Sequence, residues 1–199
     1  MAKQKDAHVG NSLRAFFTYH GMYFSIAQES LSRAVELQRE LRERTSIRPV
    51  TQDDVEWISQ QNDRIEQMSI VSVVFSAMTA ESFINDYAIE HLSKSYLEKY
   101  LDKMDLSAKW IVIPKLVTGK SINPGSRPME LLKDLVALRN RLVHDKTRSK
   151  PINQITDSDF VSIDDAQKAL ETVQKVIVAL SQIDDAVEVG WLGLKAAAK

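Results

Sequence analysis

Cysteine is absent from this 199-residue chain, and residues that break helices are few, with six glycines and five prolines. The lack of cysteine excludes disulfides and thiolate metal sites, and it is compatible with a reducing cytoplasm. An excess of one charge is also lacking, because 26 basic residues stand against 27 acidic residues. No global field therefore attracts nucleic acid or membranes, and any nucleic-acid contact must come from a local patch.

Long hydrophobic runs are lacking as well. The most apolar run, residues 70–80, is shorter than the roughly 20 residues that a bilayer-spanning helix needs. Residues 1–10 are polar and contain no apolar core of a signal peptide. With 44% apolar and 27% charged residues, the composition is that of a globular protein, and we expect a cytoplasmic protein with no membrane partner.

Apolar residues recur three and four positions apart through most of the chain, which predicts helices and no strands. A first long helix is expected from about Leu13 to Pro49, capped by Asn11 or Ser12, and a second from Thr51 to about Leu92.

Shorter elements follow these two helices. A helix is expected over residues 107–117, with Trp110, Ile113 and Leu116 facing inward, and residues 118–128 are typical of a loop. A last helix follows a cap at Ser162 or Asp165. The predicted fold is an all-α bundle of four main helices plus short extra helices.

One domain is expected over residues 1–199. Within it, residues 1–10 are expected to be loose, residues 11–188 to form the bundle, and residues 189–199 to form a tail with an exposed Trp191.

Residues 131–146, LLKDLVALRNRLVHDK, form the most informative helix of the chain. At about 100° per residue, its leucines and valines make one apolar arc, and Arg139 falls in the middle of that arc. Asn140 and His144 lie one turn apart at the polar edge. A structural explanation is available, in which Arg139 pairs with Glu81 of the second helix and His144 caps the helix end.

The basic residues that follow favour a functional explanation. Residues 139–150 hold five arginines and lysines against one aspartate, the densest basic run in the chain. An imidazole, a guanidinium and an amide beside such a run suit RNA cleavage without a metal, because they can move the 2′-hydroxyl proton and hold the phosphate oxygens. The four histidines share no ligand spacing and no glycine-rich nucleotide motif occurs, so no metal or other cofactor is expected.

The sequence Arg139-Asn140-Arg141-Leu142-Val143-His144 resembles the R-N-x-x-x-H motif of the HEPN superfamily, the higher eukaryote and prokaryote nucleotide-binding domains. Residues 80–85 of the second helix carry a further likeness, and the resemblance covers about residues 51–180. It implies a helical bundle that forms a homodimer through its motif helices, with two sets of Arg and His side chains in one cleft.

The resemblance also implies a function and a set of roles. The function is that of a metal-independent endoribonuclease, acting as a toxin or in phage defence, with RNA as substrate and an antitoxin protein as a possible partner. The catalytic residues would be His144, Arg139 and Asn140. Glu81 and Asn85, chosen mainly from their helix face, would position them, and the RNA-binding residues would be Arg141, Lys146 and Arg148.

Two other hypotheses remain open at this point. In the first, the chain is a non-catalytic HEPN-like module in which Arg139 and His144 hold a nucleotide, an RNA or a partner protein. In the second, the chain is a structural bundle in which Arg139 and Glu81 form a buried ion pair.

Overall fold

The computed structural model describes residues 18–47, 49–144, 151, 154, 156 and 159–193. Six α-helices and no strand occur in these residues, so the predicted all-α helical bundle is confirmed. The helices are α1 (His20–Ile47), α2 (Gln52–Leu92), α3 (Lys94–Tyr96), α4 (Leu106–Thr118), α5 (Arg127–His144) and α6 (Ile163–Ser181). A π-turn, Leu97–Leu101, follows α3, and a 3-10 turn, Gly190–Leu192, follows α6.

The hairpin of α1 and α2 is the most extensive helix pair of the bundle. Both helices bury small side chains, which permits close packing of their backbones: Ala27, Ser30 and Ala34 in α1, and Ser69, Ser72 and Ser76 in α2. At the connection, Asp54 accepts a hydrogen bond from the backbone N–H of Thr51 at 2.9 Å, which completes a capping box at the predicted start of α2. The start of α2 is therefore fixed by local sequence.

Helix α2 lies at the centre and contacts α1, α4, α5 and α6. Trp110 of α4 is fully buried, stacks on Phe83 and donates a hydrogen bond from its indole nitrogen to the Ala80 carbonyl at 3.2 Å. The inward orientation expected for Leu116 is wrong, because its side chain is 46% exposed. Leu116 lies about 120° around the helix from Trp110, beyond the buried stripe.

Several helix ends lie close to the predicted boundaries. Helix α6 starts at the predicted cap, where the Asp165 N–H donates to the Ser162 hydroxyl at 3.1 Å. Helix α2 ends at Leu92 as predicted, whereas α5 begins at Arg127, so the last two residues of the predicted loop are helical. Helix α1 starts later than expected, at His20, because residues 18 and 19 are not helical. The caps predicted at residues 11 and 12 lie outside the described residues.

The end of the described chain packs back on the bundle. Trp191, expected to be exposed, is half-buried, and its ring lies 4.9 Å from His20, 5.5 Å from Phe24 and 5.8 Å from Phe83 between centroids. The neighbouring Leu192 is buried. The 3-10 turn therefore packs against both the start of α1 and α2, through the ring of Trp191. This contact joins the first and the last parts of the described chain.

One helix in the described part of the chain is long and apolar enough to cross a membrane, the stretch of α2 from Asp54 to Leu92. Half of its most apolar window is buried inside the bundle. The core helix of a soluble protein passes the same test, so the finding is weak evidence for a membrane span.

Candidate functional site at the end of helix α5

The three residues of the motif lie in the last two turns of α5. Arg139 is half-buried, whereas Asn140 and His144 are exposed, and His144 is the final residue of the helix. The Arg139 Nη1 donates a hydrogen bond to the Asn140 Oδ1 at 3.1 Å. The structure thus brings the guanidinium and the amide together, with the imidazole one turn beyond the amide on the same surface.

The burial of α5 decreases along its length. Met129, Leu132 and Leu135 in the first half are buried, whereas Leu142 is half-buried and Val143 is 49% exposed. Arg139 lies on the same face of α5 as Leu132 but two turns further along, where the helix is less buried. Its guanidinium can therefore remain solvated without the cost of full burial.

The ion pair expected between Arg139 and Glu81 is not formed. Among the described residues, the hydrogen bond to Asn140 is the polar contact that Arg139 makes, and no carboxylate lies within salt-bridge distance of it. Glu81 is half-buried in α2. Arg139 is thus a cation on the core side of a helix whose charge no carboxylate in the described chain neutralises.

Asn85 has a partner that the sequence did not reveal. Its Oδ1 accepts a hydrogen bond from the Nζ of Lys109 at 3.1 Å, and Lys109 is only 2% exposed. A buried lysine without a carboxylate partner is uncommon, because an amine is costly to desolvate. No signal in the sequence indicates this contact, because Lys109 lies about 100° around the helix from the buried Trp110. Asn85 therefore holds α4 on α2 and makes no contact with the motif residues.

A groove of about 430 Å³ runs between α5 and α6, beside the motif. Its walls are apolar and its rim carries both charges: Leu131, Leu135, Ala137, Leu138 and Ala169 form the walls, and Asp134, Arg141, Asp165 and Lys168 lie at the rim, with Thr172 at the far end. Arg141, expected to contact RNA, is exposed on this rim. Lys146 and Arg148, expected to share that role, lie outside the described residues.

A second group of polar side chains, which includes His20, lies where α1 meets α2. The His20 Nδ1 lies 2.9 Å from the Asp86 Oδ2, and the Ser82 hydroxyl donates to the same oxygen at 3.4 Å. The imidazole packs edge-on against Phe83 and lies against Trp191. His20 is therefore a packed histidine among aromatic side chains, and the serine bonds the carboxylate rather than the imidazole.

A tyrosine and a carboxylate form the tightest polar contact between α2 and the turn after α6. The Tyr87 hydroxyl donates to the Asp184 Oδ2 at 2.5 Å. Burial and the Asp184 carboxylate raise the pKa of Tyr87 above its ordinary value, and the same hydrogen bond, together with the Ala186 N–H, lowers the pKa of Asp184. In the part of the chain that the structure describes, no group of three or more His, Asp or Glu side chains is arranged to hold a metal ion.

Comparison of the chain with protein-family models, with curated proteins and with solved structures finds no match. None of the three comparisons identifies a HEPN domain, so the resemblance of residues 80–85 and 139–144 to that superfamily stays a prediction.

Proposed function

We propose that the chain is a metal-independent endoribonuclease of the HEPN type, with Arg139, Asn140 and His144 as its catalytic residues. The observation that carries the proposal is the guanidinium of Arg139, which bonds the exposed amide of Asn140 one turn before the exposed His144 and has no carboxylate partner in the described chain. A charge that only stabilised the bundle would be expected to meet an acid. A phosphodiester supplies the missing anion.

The roles follow from the chemistry of each side chain. The His144 imidazole accepts the proton of a ribose 2′-hydroxyl, and the 2′-oxygen attacks the adjacent phosphorus. The bond from phosphorus to the 5′-oxygen breaks, and this oxygen takes up a proton, which leaves a 2′,3′-cyclic phosphate and a 5′-hydroxyl. Arg139 stabilises the charge on the non-bridging oxygens. Asn140, held by its bond to Arg139, orients the phosphate.

A second copy of the chain would supply the acid for this reaction. Each copy offers one imidazole at the motif, whereas the reaction needs one group to accept a proton and another to donate one. The proposed homodimer brings two α5 helices together, so that the second His144 protonates the leaving oxygen. The apolar walls of the groove beside α5 support such an association.

The proposed setting is a cytoplasmic toxin or phage-defence effector, with an antitoxin protein as a further partner. Arg141, Lys146 and Arg148 would hold the phosphates next to the cleaved bond. The chain as a whole has a net charge of −1, so this local strip must provide the attraction for RNA.

The test is incubation of the purified protein with total RNA and tRNA in EDTA, beside the variants His144→Ala and Arg139→Ala. A matched control is His91→Ala, because His91 is an exposed histidine at the end of α2 and takes no part in the site. We expect cyclic-phosphate fragments from the unmutated protein and the control, and a loss of at least about 100-fold in rate for both site variants.

Two results would count against the proposal. Equal cleavage by the His144→Ala variant would show that the activity comes from another site or from a contaminant. Intact RNA with every variant, while His144 and Arg139 variants still weaken RNA binding, would instead favour the non-catalytic binding module. Thermal unfolding midpoints of all variants show whether the bundle remains folded.

A further inference from the structure

Two tyrosines lie exposed on the short segment that follows α2. Tyr96 is 37% exposed and Tyr100 is 58% exposed, and their ring centroids are 5.0 Å apart with the planes tilted by 52°. The two rings contact each other at an angle, and the Tyr100 side chain is the more exposed of the two. We call this pair the aromatic platform.

The register of the segment explains why both rings face outward. Leu97 and Leu101 are buried, at 6% and 4% exposure, and each directly follows one of the tyrosines. The π-turn between them is closed by the Asp102 N–H, which donates to the Leu97 carbonyl at 2.9 Å. The two leucines anchor the turn in the core, and the tyrosines are held on the opposite side.

The backbone of the segment is unusual at its start. Ser93 has φ +103° and ψ 153°, the one non-glycine residue with positive φ among those the structure describes. This region of backbone space is costly for a residue with a side chain. Its hydroxyl accepts from the Tyr96 N–H at 3.3 Å and so starts the next turn. Strain and a π-turn within one short segment are features that recur at functional sites.

The charges around the platform are mixed, with more positive than negative groups. Lys94, Lys99 and Lys103 outnumber Glu98 and Asp102, and Lys94 lies 3.7 Å from Glu98. The Lys99 Nζ lies 5.1 Å from the centroid of the Tyr100 ring. The ammonium group thus lies over one face of the Tyr100 ring. A base that stacks on this face would displace the flexible lysine side chain, whose ammonium could then contact the phosphate of the same strand.

We propose that the aromatic platform is a binding site for single-stranded nucleic acid, separate from the motif at the end of α5. Bases stack on Tyr96 and Tyr100, and Lys99 contacts the backbone of the bound strand. Exposed aromatic rings beside lysines hold single strands with little sequence preference, because every base offers a flat face. The site rests on the proposed function only in that the strand is expected to be RNA.

The test measures binding with cleavage removed. Proteins carrying His144→Ala are titrated in EDTA against a fluorescein-labelled 12-nucleotide uridine-rich RNA, and anisotropy gives Kd. We expect Tyr96→Ala and Tyr100→Ala each to raise Kd by at least about fivefold, the lower end for loss of one stacked base. Tyr100→Phe should bind like the parent protein, because it keeps the ring.

The controls separate stacking from simple apolar contact and from misfolding. Tyr19→Ala removes a tyrosine that is 53% exposed, directly before α1, and should leave Kd unchanged. Tyr100→Leu should bind as weakly as Tyr100→Ala, because leucine has no ring face. The same strand in a duplex should bind less tightly, since its bases are already stacked.

Three results would overturn the proposal: no binding of the probe by the parent protein, an unchanged Kd for both alanine variants, or equal Kd values for Tyr100→Leu and Tyr100→Phe. The outcome is independent of the catalytic hypothesis. Platform variants that weaken binding by a protein that cleaves no RNA would support the platform alone. Cleavage that depends on His144, with an unchanged Kd for both platform variants, would support the nuclease alone.

Discussion

Two cationic side chains, Lys109 and Arg139, differ in how deeply the bundle buries them. Both residues donate a hydrogen bond to the amide oxygen of an asparagine, but Lys109 is buried whereas Arg139 is half-buried. Neither has a carboxylate partner in the described chain. Lys109 joins two helices of the core, so its role is structural. Arg139 bonds the exposed Asn140, and in the proposed function its charge holds the phosphate of the RNA.

The contact between Tyr87 and Asp184 leads to a prediction on pH dependence. The pKa of Asp184 is lowered in the folded protein, so its contribution to stability is present above its ordinary value of 3.8 and is lost as the pH falls through the folded value. The pKa of Tyr87 is raised, so its contribution is present below an ordinary value of about 10 and is lost at higher pH. Burial is the largest cause of the raised pKa of Tyr87, and the hydrogen bond to Asp184 adds to it; the same bond is the largest cause of the lowered pKa of Asp184. Tyr87→Phe removes this bond.

We expect Tyr87→Phe to lower the free energy of unfolding at pH 7 by about 1–2 kcal/mol, since the bond is to a charged acceptor. Urea unfolding from pH 3 to pH 11 measures this. The difference between the two proteins should shrink toward both ends of the range. A difference that stays constant across the range would show that the loss comes from packing rather than from the ionised pair.

At the scale of elements, the 3-10 turn at Gly190–Leu192, the last element of the described chain, packs against the start of α1. The ring of Trp191 fills the space between His20, Phe24 and Phe83. Its indole N–H donates to the Glu188 carbonyl at 3.0 Å, so the ring is held in one orientation. This contact closes one end of the hairpin of α1 and α2.

Trp191→Ala should therefore destabilise the protein by about 2–4 kcal/mol, the range for a large ring removed from a partly closed site. Hydrogen exchange should increase first in the early turns of α1, where His20 and Phe24 lose their neighbour. A suitable comparison is Trp191→Phe, which keeps an aromatic ring and should recover most of the stability. Unchanged exchange in α1 would show that the turn does not hold this helix.

At the scale of the whole molecule, the proposed dimer depends on the groove between α5 and α6. Its rim carries Asp134 and Arg141, which lie seven residues apart on α5 with the apolar Ala137 and Leu138 between them. A dimer with both His144 side chains in one site requires the two α5 helices to meet near their C-terminal ends, across a two-fold axis close to His144. An antiparallel pairing of Asp134 with Arg141 would instead hold the two His144 residues about 20 Å apart along the helices.

Ala137→Glu places a charge on the apolar wall of this groove, about two turns before His144, where Ala137 is exposed in the single chain. We expect the variant to sediment as a monomer at micromolar concentration and to lose RNA cleavage, because the composite site is no longer formed. Gln67→Glu adds the same charge at an exposed position of α2 and should remain a dimer. An Ala137→Glu protein that is still dimeric and active would show that the copies associate through another surface.

The helices of this protein were predictable because their signals are local. Capping boxes at Thr51 and Ser162, the glycine- and proline-rich loop before α5, and apolar spacing of three and four act over a few residues, and α2, α5 and α6 begin or end where these signals predict. The class of the fold followed from the same pattern. The order of Arg139, Asn140 and His144 on one helix was likewise readable from the sequence.

Contacts between distant segments were decided by the tertiary structure. The sequence could not show that Arg139 and Glu81 fail to meet, that Lys109 reaches Asn85, or that Trp191 turns back onto α1. Helical periodicity indicates which face of a helix is apolar, but the partner of that face depends on how the other helices pack around it. The amino-acid sequence by itself determined the helices and the motif, whereas the packing of the bundle decided which charges are paired, because pairing depends on distances between segments far apart in the chain.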